Sequence, residues 1–435
     1  TVTGVQTCAL PILTEETDPR DAGRKQTSEY DAAGRLVKSM DAEGNATVFL
    51  YDAAGNRTGS IDPRGKGDPL NTEFRTTSEY DGLNRLVRTA DSLGHATTYH
   101  YDRAGNRDLV TDARGFSTTY EYDGVGRRTA AVDAEGNRTE WQYDAVGKVV
   151  RETDPRTFAP GSPGTFETVY ERDRLGRVVK VTRSAGLAGN DERTVEILGY
   201  DKAGNLVSDQ DPRGRFATTA YVYDALGRRT EQRAPSGTAD APGPTLVTTY
   251  GYDAAGNRTS VTDPRGPFYT TTFVFDAQNR IVSKTLPTGS ADAPGPSATW
   301  IYTYDRAGNL VAEQSPRGAF FTTVSTYDFA NRLRSRSEPQ GTLEDPRDSA
   351  VTLYDYDEAG NLTRTTLPRT ADTGRHYETT TTYDAAGRVA TTTDTEGHVM
   401  TFTYDADGNV GSVTERGDEH AEARTTTFEI GRAHV

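Results

Sequence analysis

The residues best suited to metal binding or acid–base catalysis are few and scattered. The sequence has six histidines and a single cysteine, Cys8. His95 and His100 are five residues apart, and no histidine has a second histidine or a carboxylate at the spacing of a metal motif. One cysteine excludes an internal disulfide bond and a cysteine-based zinc site. We therefore expect no catalytic residue, no metal site and no cofactor, and we interpret the chain as non-enzymatic.

A calcium loop is the next candidate for chemistry. The string DADGN at Asp405–Asn409 resembles the start of such a loop. However, Val410 stands in the place of the required glycine and Arg416 in that of the required glutamate. Equivalent strings elsewhere read DAAGN or DRAGN, so we interpret all of them as turns. Motifs for an activated serine or a phosphate-binding loop are absent from the sequence.

The turn strings belong to a repeat that fills the chain. Tyr-Asp-x-x-Gly or a close variant occurs 16 times, at spacings of 21 to 29 residues. A length of 435 residues would otherwise suggest about three domains, but repetition at this period predicts a repeat array. The copies start at Tyr30, Tyr51, Tyr80, Tyr101, Tyr122, Tyr143, Arg172, Tyr200, Tyr223, Tyr252, Phe275, Tyr304, Tyr327, Tyr356, Tyr383 and Tyr404.

Each position of the unit has a structural interpretation. An apolar residue two places before the tyrosine, found in 12 copies, predicts a strand with one apolar face. Four places after the tyrosine stands glycine in 13 copies and asparagine in three, so a tight turn with positive φ is predicted there. The aspartate can accept hydrogen bonds from backbone N–H groups of the turn. A second glycine, 14 residues after the tyrosine in 13 copies, predicts a second turn. One unit is therefore a β-hairpin plus the turn into the next hairpin.

The signature positions of four copies are the residues that we expect to matter most for the structure. At Gly256 we expect a positive φ, tolerance of asparagine, and strain with a β-branched residue. The signature residues are Tyr51, Asp52, Gly55 and Gly65; Tyr101, Asp102 and Gly105; Tyr252, Asp253 and Gly256; and Tyr304, Asp305 and Gly308.

Two kinds of turn alternate along much of the array. Turns such as Gly227-Arg228 alternate with turns such as Gly256-Asn257. An Asp-Pro-Arg-Gly type of second turn follows only the Gly-Asn kind, so the true repeat is a pair of hairpins, 42 to 56 residues long. We expect the arginines of these second turns at exposed positions, solvated or paired across loops. They are Arg64, Arg213, Arg265 and Arg317.

Composition supports a thin β-structure. Only 34% of the residues are hydrophobic, although 23 are tyrosines. We predict an all-β fold in which tandem antiparallel hairpins form a long, twisted single-layer sheet, stabilised by ladders of stacked tyrosines instead of a thick core. The net charge of −15 argues against a nucleic-acid partner. No apolar run approaches the roughly 18 residues that would span a membrane.

The repeat strings resemble the YD repeats of the Rhs family, which also occur in wall-associated bacterial proteins, toxin-complex C components and animal teneurins. The resemblance runs from about Leu13 to Phe428. It implies a spiralling β-sheet that closes as a hollow shell around a toxic C-terminal domain until delivery. The family's core-associated domain, with its self-cleavage site, has no counterpart in this sequence, so none of its functional residues is carried over.

The two ends of the sequence depart from the repeat. Residues 1–12 and 429–435 break its register. We interpret both as foreign tails that resemble adapter sequence; the alternative is that they are divergent natural termini. The array then occupies residues 13–428, and we expect it to be an internal fragment of a longer protein.

Two functions fit these observations. The first is a structural segment of the encapsulating shell of a secreted Rhs-type bacterial toxin. Its partners would be the C-terminal toxin domain of the same full-length protein and secretion-spike or other delivery components. The alternative is a cell-surface adhesion or carbohydrate-binding protein whose tyrosines stack on glycans. The expected localisation is secreted or at the bacterial cell surface.

Overall fold

The protein is all-β, as the sequence predicts. A computed structural model describes residues 12–18, 21–159, 162, 164–184, 193–238, 240–342, 344, 346–368, 377–417 and 423–428. The tails expected at residues 1–12 and 429–435 lie outside these ranges, apart from Ile12, which begins the first strand. No helix in the described ranges is long and apolar enough to cross a membrane.

Short antiparallel strands account for nearly all the regular structure, and the helices described are single 3-10 turns. The strands are β1 Ile12–Asp18, β2 Asp21–Tyr30, β3 Leu36–Met40, β4 Ala46–Tyr51, β5 Arg57–Ile61, β6 Arg75–Tyr80, β7 Leu86–Ala90, β8 Ala96–His100, β9 Leu109–Thr111, β10 Ser117–Tyr122, β11 Arg128–Val132, β12 Arg138–Tyr143, β13 Val149–Thr153, β14 Glu167–Arg172, β15 Val178–Ser184, β16 Arg193–Tyr200, β17 Leu206–Gln210, β18 Thr218–Tyr223, β19 Arg229–Ala234, β20 Leu246–Tyr252, β21 Arg258–Thr262, β22 Thr270–Phe275, β23 Ile281–Gly289, β24 Pro294–Tyr304, β25 Leu310–Gln314, β26 Thr322–Tyr327, β27 Leu333–Gly341, β28 Pro346–Tyr356, β29 Leu362–Leu367, β30 Tyr377–Tyr383, β31 Val389–Thr393, β32 Val399–Tyr404, β33 Val410–Arg416 and β34 Arg424–Thr427. The 3-10 turns are Pro63–Gly65, Pro155–Phe158, Arg215–Ala217, Pro267–Tyr269 and Ala319–Phe321.

The strands fall into two compact units. In its described part, unit 1 comprises residues 12–100, 110–117 and 301–428, and unit 2 comprises residues 101–109 and 118–300, both with the gaps given above. In unit 1, each of β1 to β7 pairs antiparallel with the next strand, as does each of β25 to β33. In unit 2 the same pairing runs from β10 to β23.

A β-bulge recurs at the tyrosine of the repeat. In β20 and β21, Gly251 pairs with Ser260, but the next residue, Tyr252, pairs with Arg258, so the register shifts by one residue. The same shift precedes the signature tyrosine, or its replacement, in 15 of the copies that the structure describes. Because a bulge increases the local right-handed twist, its repetition twists every hairpin in the same sense.

Burial in this sheet is shallow, as a single layer requires. Among the described residues, the hydrophobic side chains that are buried are Ala46, Val48, Ile61, Ala90, Ala130, Val181 and Ala217. Most strand residues are instead half-buried. Hydrophobic burial alone is therefore a weak source of stability here, and polar ties between hairpins must supply much of the structure's specificity.

We call the tight turn that ends four residues after the tyrosine the first turn. Its backbone confirms the predicted positive φ in all 16 copies. Gly256 has a φ of 92°. In the seven Gly-Asn turns the glycine φ is 88–100°, whereas in the six Gly-Arg and Gly-Lys turns it is 73–82°. The three asparagines at this position, Asn84, Asn279 and Asn331, have φ of 59–63° and all precede arginine. Asparagine therefore occurs only in the turn type closest to the left-handed helical region near +57°.

Gly65 lies in a second turn, as expected, but its φ is not positive. The positive φ angles in this turn belong to Lys66 and Gly67. A Cβ atom on Gly65 would collide with Cγ2 of Ile61, which is fully buried. This glycine is required for space, and not for its backbone freedom.

Candidate functional site

Aspartate closes the Gly-Asn first turns in the way illustrated by Asp253. One carboxylate oxygen accepts a hydrogen bond from the backbone N–H of Asn257 at 2.8 Å, and the other accepts from the Asn257 side-chain amide at 2.9 Å. The N–H of Gly256 donates to the carbonyl oxygen of Asp253 at 3.2 Å. The signature aspartates Asp52, Asp102 and Asp305 are closed by the same two contacts from their own asparagines.

These contacts stabilise the charged form of the carboxylates. The side-chain hydrogen bond from Asn257 holds the pKa of Asp253 below its ordinary value of 3.8. At Asp224 the backbone N–H of Arg228 is the main cause of the lowered pKa. The pKa is also lowered at the first-turn aspartates Asp31, Asp52, Asp81, Asp102, Asp123, Asp173, Asp201, Asp276, Asp328, Asp384 and Asp405.

Arginine in a Gly-Arg turn binds the next copy of the repeat. The guanidinium of Arg228 lies over the ring of Tyr252, 4.9 Å from its centroid, while its Nη1 donates to the carbonyl oxygen of Asp253 at 2.9 Å. Its Nε donates to Asp224 in its own turn. Arg35, Arg127 and Arg177 make the same pair of forward contacts.

In most copies the tyrosine returns a contact to the copy before it. The hydroxyl of Tyr252 donates to the carbonyl oxygen of Arg229, two residues past the preceding turn glycine, at 2.7 Å. Nine other tyrosines donate to the equivalent carbonyl oxygen: Tyr51, Tyr80, Tyr122, Tyr143, Tyr223, Tyr327, Tyr356, Tyr383 and Tyr404. The tyrosine therefore makes two kinds of contact. In many copies its ring packs against an arginine, and its hydroxyl donates to a backbone carbonyl oxygen.

Asparagine in a Gly-Asn turn reaches forward in its own way. The side-chain amide of Asn257 donates to the side-chain oxygen of Asn279 at 3.0 Å. Equivalent bonds join Asn56 to Asn84 and Asn309 to Asn331. A Gly-Asn turn that precedes an asparagine turn therefore makes a different forward contact from that of a Gly-Arg turn. Sequence reasoning found the alternation but not these contacts.

The tyrosine ladder expected from the sequence is wrong at four of the repeat tyrosines. The rings of Tyr51, Tyr143, Tyr252 and Tyr404 are covered by the arginine of the preceding copy, and not by another aromatic ring. A guanidinium stacks on an aromatic face and keeps its N–H groups free for hydrogen bonds in its plane. Arginine can therefore support the ring and bind the turn at once.

Two second-turn arginines join parts of unit 1 that are far apart in sequence. Nη1 of Arg64 donates to the carbonyl oxygen of Asp357, and Nη2 to that of Glu358, both at 2.8 Å. Arg114 contacts the carbonyl oxygens of Asp405 and Ala406 at 3.3 and 3.2 Å. The contacts link the second copy to the fourteenth and the fourth to the sixteenth, a separation of twelve copies in each case.

Exposure separates the second-turn arginines into two groups. The side chains of Arg64 and Arg114 are only 13% and 15% exposed. The expectation that Arg64 is an exposed charge is therefore wrong, because a turn from another part of unit 1 covers it. Arg213 and Arg265 are 70% and 66% exposed, as expected, and each is paired with the aspartate of its own turn. Arg317 is exposed too, over the ring of Phe321.

The residues that first suggested metal chemistry are turn residues. His95 and His398 stand in the place of the turn asparagine, and Nδ1 of each lies 3.0 Å from the turn aspartate, Asp91 and Asp394 respectively. Asp405 is closed by Asn409 like any other first-turn aspartate. Within the described part of the chain, no group of three or more His, Cys, Asp or Glu residues is placed to hold a metal ion.

One family of sequences matches the chain. The matching family is described as RHS Repeat, over residues 30–66, 80–115, 109–138, 126–159, 200–239, 244–267 and 377–420. These segments together cover just over half of the 435 residues. No curated protein matches the sequence.

Several solved structures share the fold. A mutant Tc holotoxin pore from Photorhabdus luminescens has a TM-score of 0.63 at 18% identity, covering 94% of this chain and 22% of its own. The complex TcdB2-TccC3 without its hypervariable C-terminal region gives a TM-score of 0.63 at 18% identity, covering 95% of this chain and 24% of its own. TcdB2-TccC3-Cdc42 gives 0.61 at 17% identity, over 95% and 25%. The chain thus spans about a quarter of the solved chains that it matches.

Proposed function

The chain belongs to the RHS-repeat family, and we propose that it is a non-enzymatic segment of the β-shell that encloses the effector domain of a secreted bacterial toxin. In this role the chain forms part of the wall of the shell and catalyses no reaction. Its partners are the C-terminal effector domain of the same full-length protein and the components that deliver it.

The contact between distant copies carries this proposal. A row of hairpins tied only to their neighbours would be a free ribbon. In unit 1, however, the second turns of two early copies grip the first turns of copies twelve places later through Arg64 and Arg114. A sheet whose second turns bind the first turns of distant copies has the contacts of a continuous wall, which is what an enclosure needs.

The use made of the polar side chains also supports a structural role. Catalytic acids and bases need pKa values near the working pH and access to a substrate. Asp253 and Asp224 have lowered pKa values and are hydrogen-bonded within their own turns. The turn arginines described above are engaged with aspartate, tyrosine and backbone carbonyl groups. This chemistry holds hairpins together and leaves its groups poorly suited to catalysis.

The similarity of the fold to that of a Tc holotoxin supports the assignment of the chain to a toxin. One structural neighbour is described as lacking a hypervariable C-terminal region, which is the position that we assign to the effector. We propose that the protein acts outside the producing cell, either secreted or at the cell surface.

Carbohydrate binding is the less favoured function. Sugar recognition by the repeat would need the open faces of its tyrosine rings. At Tyr51, Tyr143, Tyr252 and Tyr404 an arginine occupies one face, and the hydroxyl groups of all four are bonded to backbone carbonyl oxygens. The side chains of these tyrosines are already engaged in contacts within the sheet.

Limited proteolysis of the full-length polypeptide tests the proposal. We expect the C-terminal effector domain to resist protease when the shell is intact and to be digested in a variant that combines Arg64→Gln with Arg114→Gln. Arg183→Gln with Arg233→Gln is the matched control, since these arginines are about half exposed and pair with glutamates on their own sheet. An effector that is digested equally fast in the wild type and in both variants would contradict the proposal.

A further inference from the structure

The backbone carbonyl oxygen of a first-turn aspartate can accept two hydrogen bonds, because it has two lone pairs. At Asp253 the N–H of the turn glycine takes one of them, at 3.2 Å. Nη1 of Arg228, from the preceding copy, takes the other at 2.9 Å. The same arginine bond, at 3.0–3.1 Å, joins Arg35 to Asp52, Arg127 to Asp144 and Arg177 to Asp201.

At Asp357 and Asp405 an arginine from twelve copies earlier occupies the second lone pair. Nη1 of Arg64 donates to the carbonyl oxygen of Asp357 at 2.8 Å, and Nη1 of Arg114 donates to that of Asp405 at 3.3 Å. In both turns the N–H of the turn glycine keeps the first bond, at 3.1 Å. Neither carbonyl oxygen therefore has a lone pair left for the arginine of the preceding copy.

The arginines that precede these two turns are Arg332 and Arg388. Nη1 of each is buried and has no hydrogen-bond partner among the described residues. Their other contacts are retained, since Nε of each still donates to the aspartate of its own turn at 2.8 Å. Buried N–H groups in folded proteins nearly always have an acceptor, and one without it is destabilising. The bond from the distant copy thus leaves a local donor unsatisfied.

The position of the guanidinium over the tyrosine ring differs between the two groups of turns. Arg332 and Arg388 lie 4.2 and 3.8 Å from the ring centroid of the next tyrosine, against 4.6–4.9 Å for the arginines that bind the carbonyl oxygen. Nη1 of Arg332 nevertheless stays at the turn. It lies 3.6 Å from the place that a Cβ atom on Gly360 would occupy, and the equivalent distance from Arg35 to Gly55 is 3.8 Å. A small tilt about the bonded Nε would therefore bring Nη1 onto the carbonyl oxygen.

We propose that Arg332 and Arg388 are reserve donors, which allow the contacts between copies twelve apart in unit 1 to open reversibly. When Arg64 leaves the carbonyl oxygen of Asp357, Arg332 takes the vacated lone pair. Arg388 takes over from Arg114 in the same way. The open state then satisfies a buried donor that the closed state leaves unpaired, so opening costs less than the broken bonds alone would require. This inference concerns contacts within unit 1 and does not depend on an enclosed effector.

A crystal structure of the complete 435-residue chain carrying Arg64→Gln tests the exchange directly. We expect Nη1 of Arg332 to donate to the carbonyl oxygen of Asp357 at 2.9–3.1 Å, as in the turns bound by the preceding arginine. Its guanidinium should lie 4.6–4.9 Å from the ring centroid of Tyr356, as in those turns. Arg388 is the internal control and should stay in place, because Arg114 is unchanged. An Nη1 of Arg332 that still lacks an acceptor would overturn the inference.

Hydrogen exchange at the Gly360 amide measures the energetic consequence, because this amide donates to the carbonyl oxygen of Asp357. Arg64→Gln and Arg332→Gln together should speed exchange at least about threefold more than the product of the two single effects. The reason is that only the double variant leaves this carbonyl oxygen without an arginine donor.

The crossed pair is the matched control. Arg114→Gln with Arg332→Gln removes the same charges, but these two arginines serve different turns, so their effects on the Gly360 amide should simply multiply. At the Gly408 amide, Arg114→Gln with Arg388→Gln should show the excess effect and Arg64→Gln with Arg388→Gln should not. Simple multiplication in the matched and the crossed pairs alike would overturn the inference, whether or not the shell function holds.

Discussion

Arg172 and Val149 make the contact that a tyrosine makes in other copies. Arg172 stands at the tyrosine position, and its Nη2 donates to the carbonyl oxygen of Val149 at 3.1 Å. Val149 lies two residues past the preceding turn glycine, where the tyrosine hydroxyl of other copies finds its acceptor. At this position a donor that reaches one particular carbonyl oxygen can thus take the place of the aromatic ring.

Arg172→Tyr should stabilise its hairpin, because tyrosine makes the same bond without burying an extra donor. Nε of Arg172 is buried and has no partner in the described structure, which carries a cost of about 1 kcal/mol or more. Arg172→Leu should instead weaken the hairpin by about 1 kcal/mol, because the Val149 carbonyl loses its donor. Hydrogen exchange at the amides of β14 and β15 measures both effects locally. Equal protection in the two variants would contradict the donor role.

The two classes of turn should respond differently to asparagine. Gly227→Asn should be nearly neutral, within about 0.5 kcal/mol, because φ is 75° and the side-chain oxygen of Asn205 lies 3.4 Å from the new Cβ position, close enough for an amide pair. Gly256→Asn has free space but a φ of 92°, so a small loss is expected. Gly256→Val should cost about 1–3 kcal/mol. Local hydrogen exchange should show the smallest loss of protection in Gly227→Asn, a larger loss in Gly256→Asn and the largest in Gly256→Val. Gly227→Val is the matched control for the turn at Gly227.

Removing the hydroxyl group at the tyrosine position of one copy and adding one in the next copy should have opposite effects on stability. Tyr252→Phe deletes the bond to the Arg229 carbonyl oxygen and should cost about 0.5–1.5 kcal/mol. Phe275 stands at the same position in the next copy and has no hydroxyl. Phe275→Tyr should gain a bond to the Arg258 carbonyl oxygen and slow exchange around β21 and β22. If Phe275→Tyr has no effect, the hydroxyl bond contributes little to stability.

Acid should open the sheet over a narrow range of pH. Many turn aspartates have pKa values below the 3.8 of an ordinary aspartate. A lowered folded-state pKa means that the stabilisation is complete above the unfolded pKa and is lost as the pH falls through the folded pKa. We therefore expect constant stability from neutral pH down to about pH 4 and a cooperative loss below it, followed by circular dichroism. Gradual loss beginning near pH 6 would contradict this.

The terminal segments give one further prediction. If residues 1–12 and 429–435 are foreign to the array, a chain that begins at residue 13 and ends at residue 428 should melt at the same temperature as the full sequence. A clear drop would show that they contribute to the sheet. Deleting residues 377–428, which contain β30 to β34, is the positive control and should lower stability.

The sequence predicts the local structure well because its cause is local. Gly256 and Asp253 reveal their turn through residue type alone, since few residues accept a positive φ and few close a turn with a carboxylate. The bulge before Tyr252 was not predicted, because it depends on which residues of two strands pair. The forward contact of Arg228 and the distant contact of Arg64 were missed for the same reason. Both depend on how neighbouring or distant hairpins are placed, which repeat spacing does not encode.

The short-range ties between successive copies have a mechanical consequence. Tyr252 and Arg228 connect adjacent copies only, so a pulling force on one end of the chain would peel hairpins away singly. Each step would release about 21 residues, or roughly 70 Å of extended chain. Where Arg64 and Arg114 grip turns twelve copies away, two distant hairpins must give way together, and the resistance to force would rise.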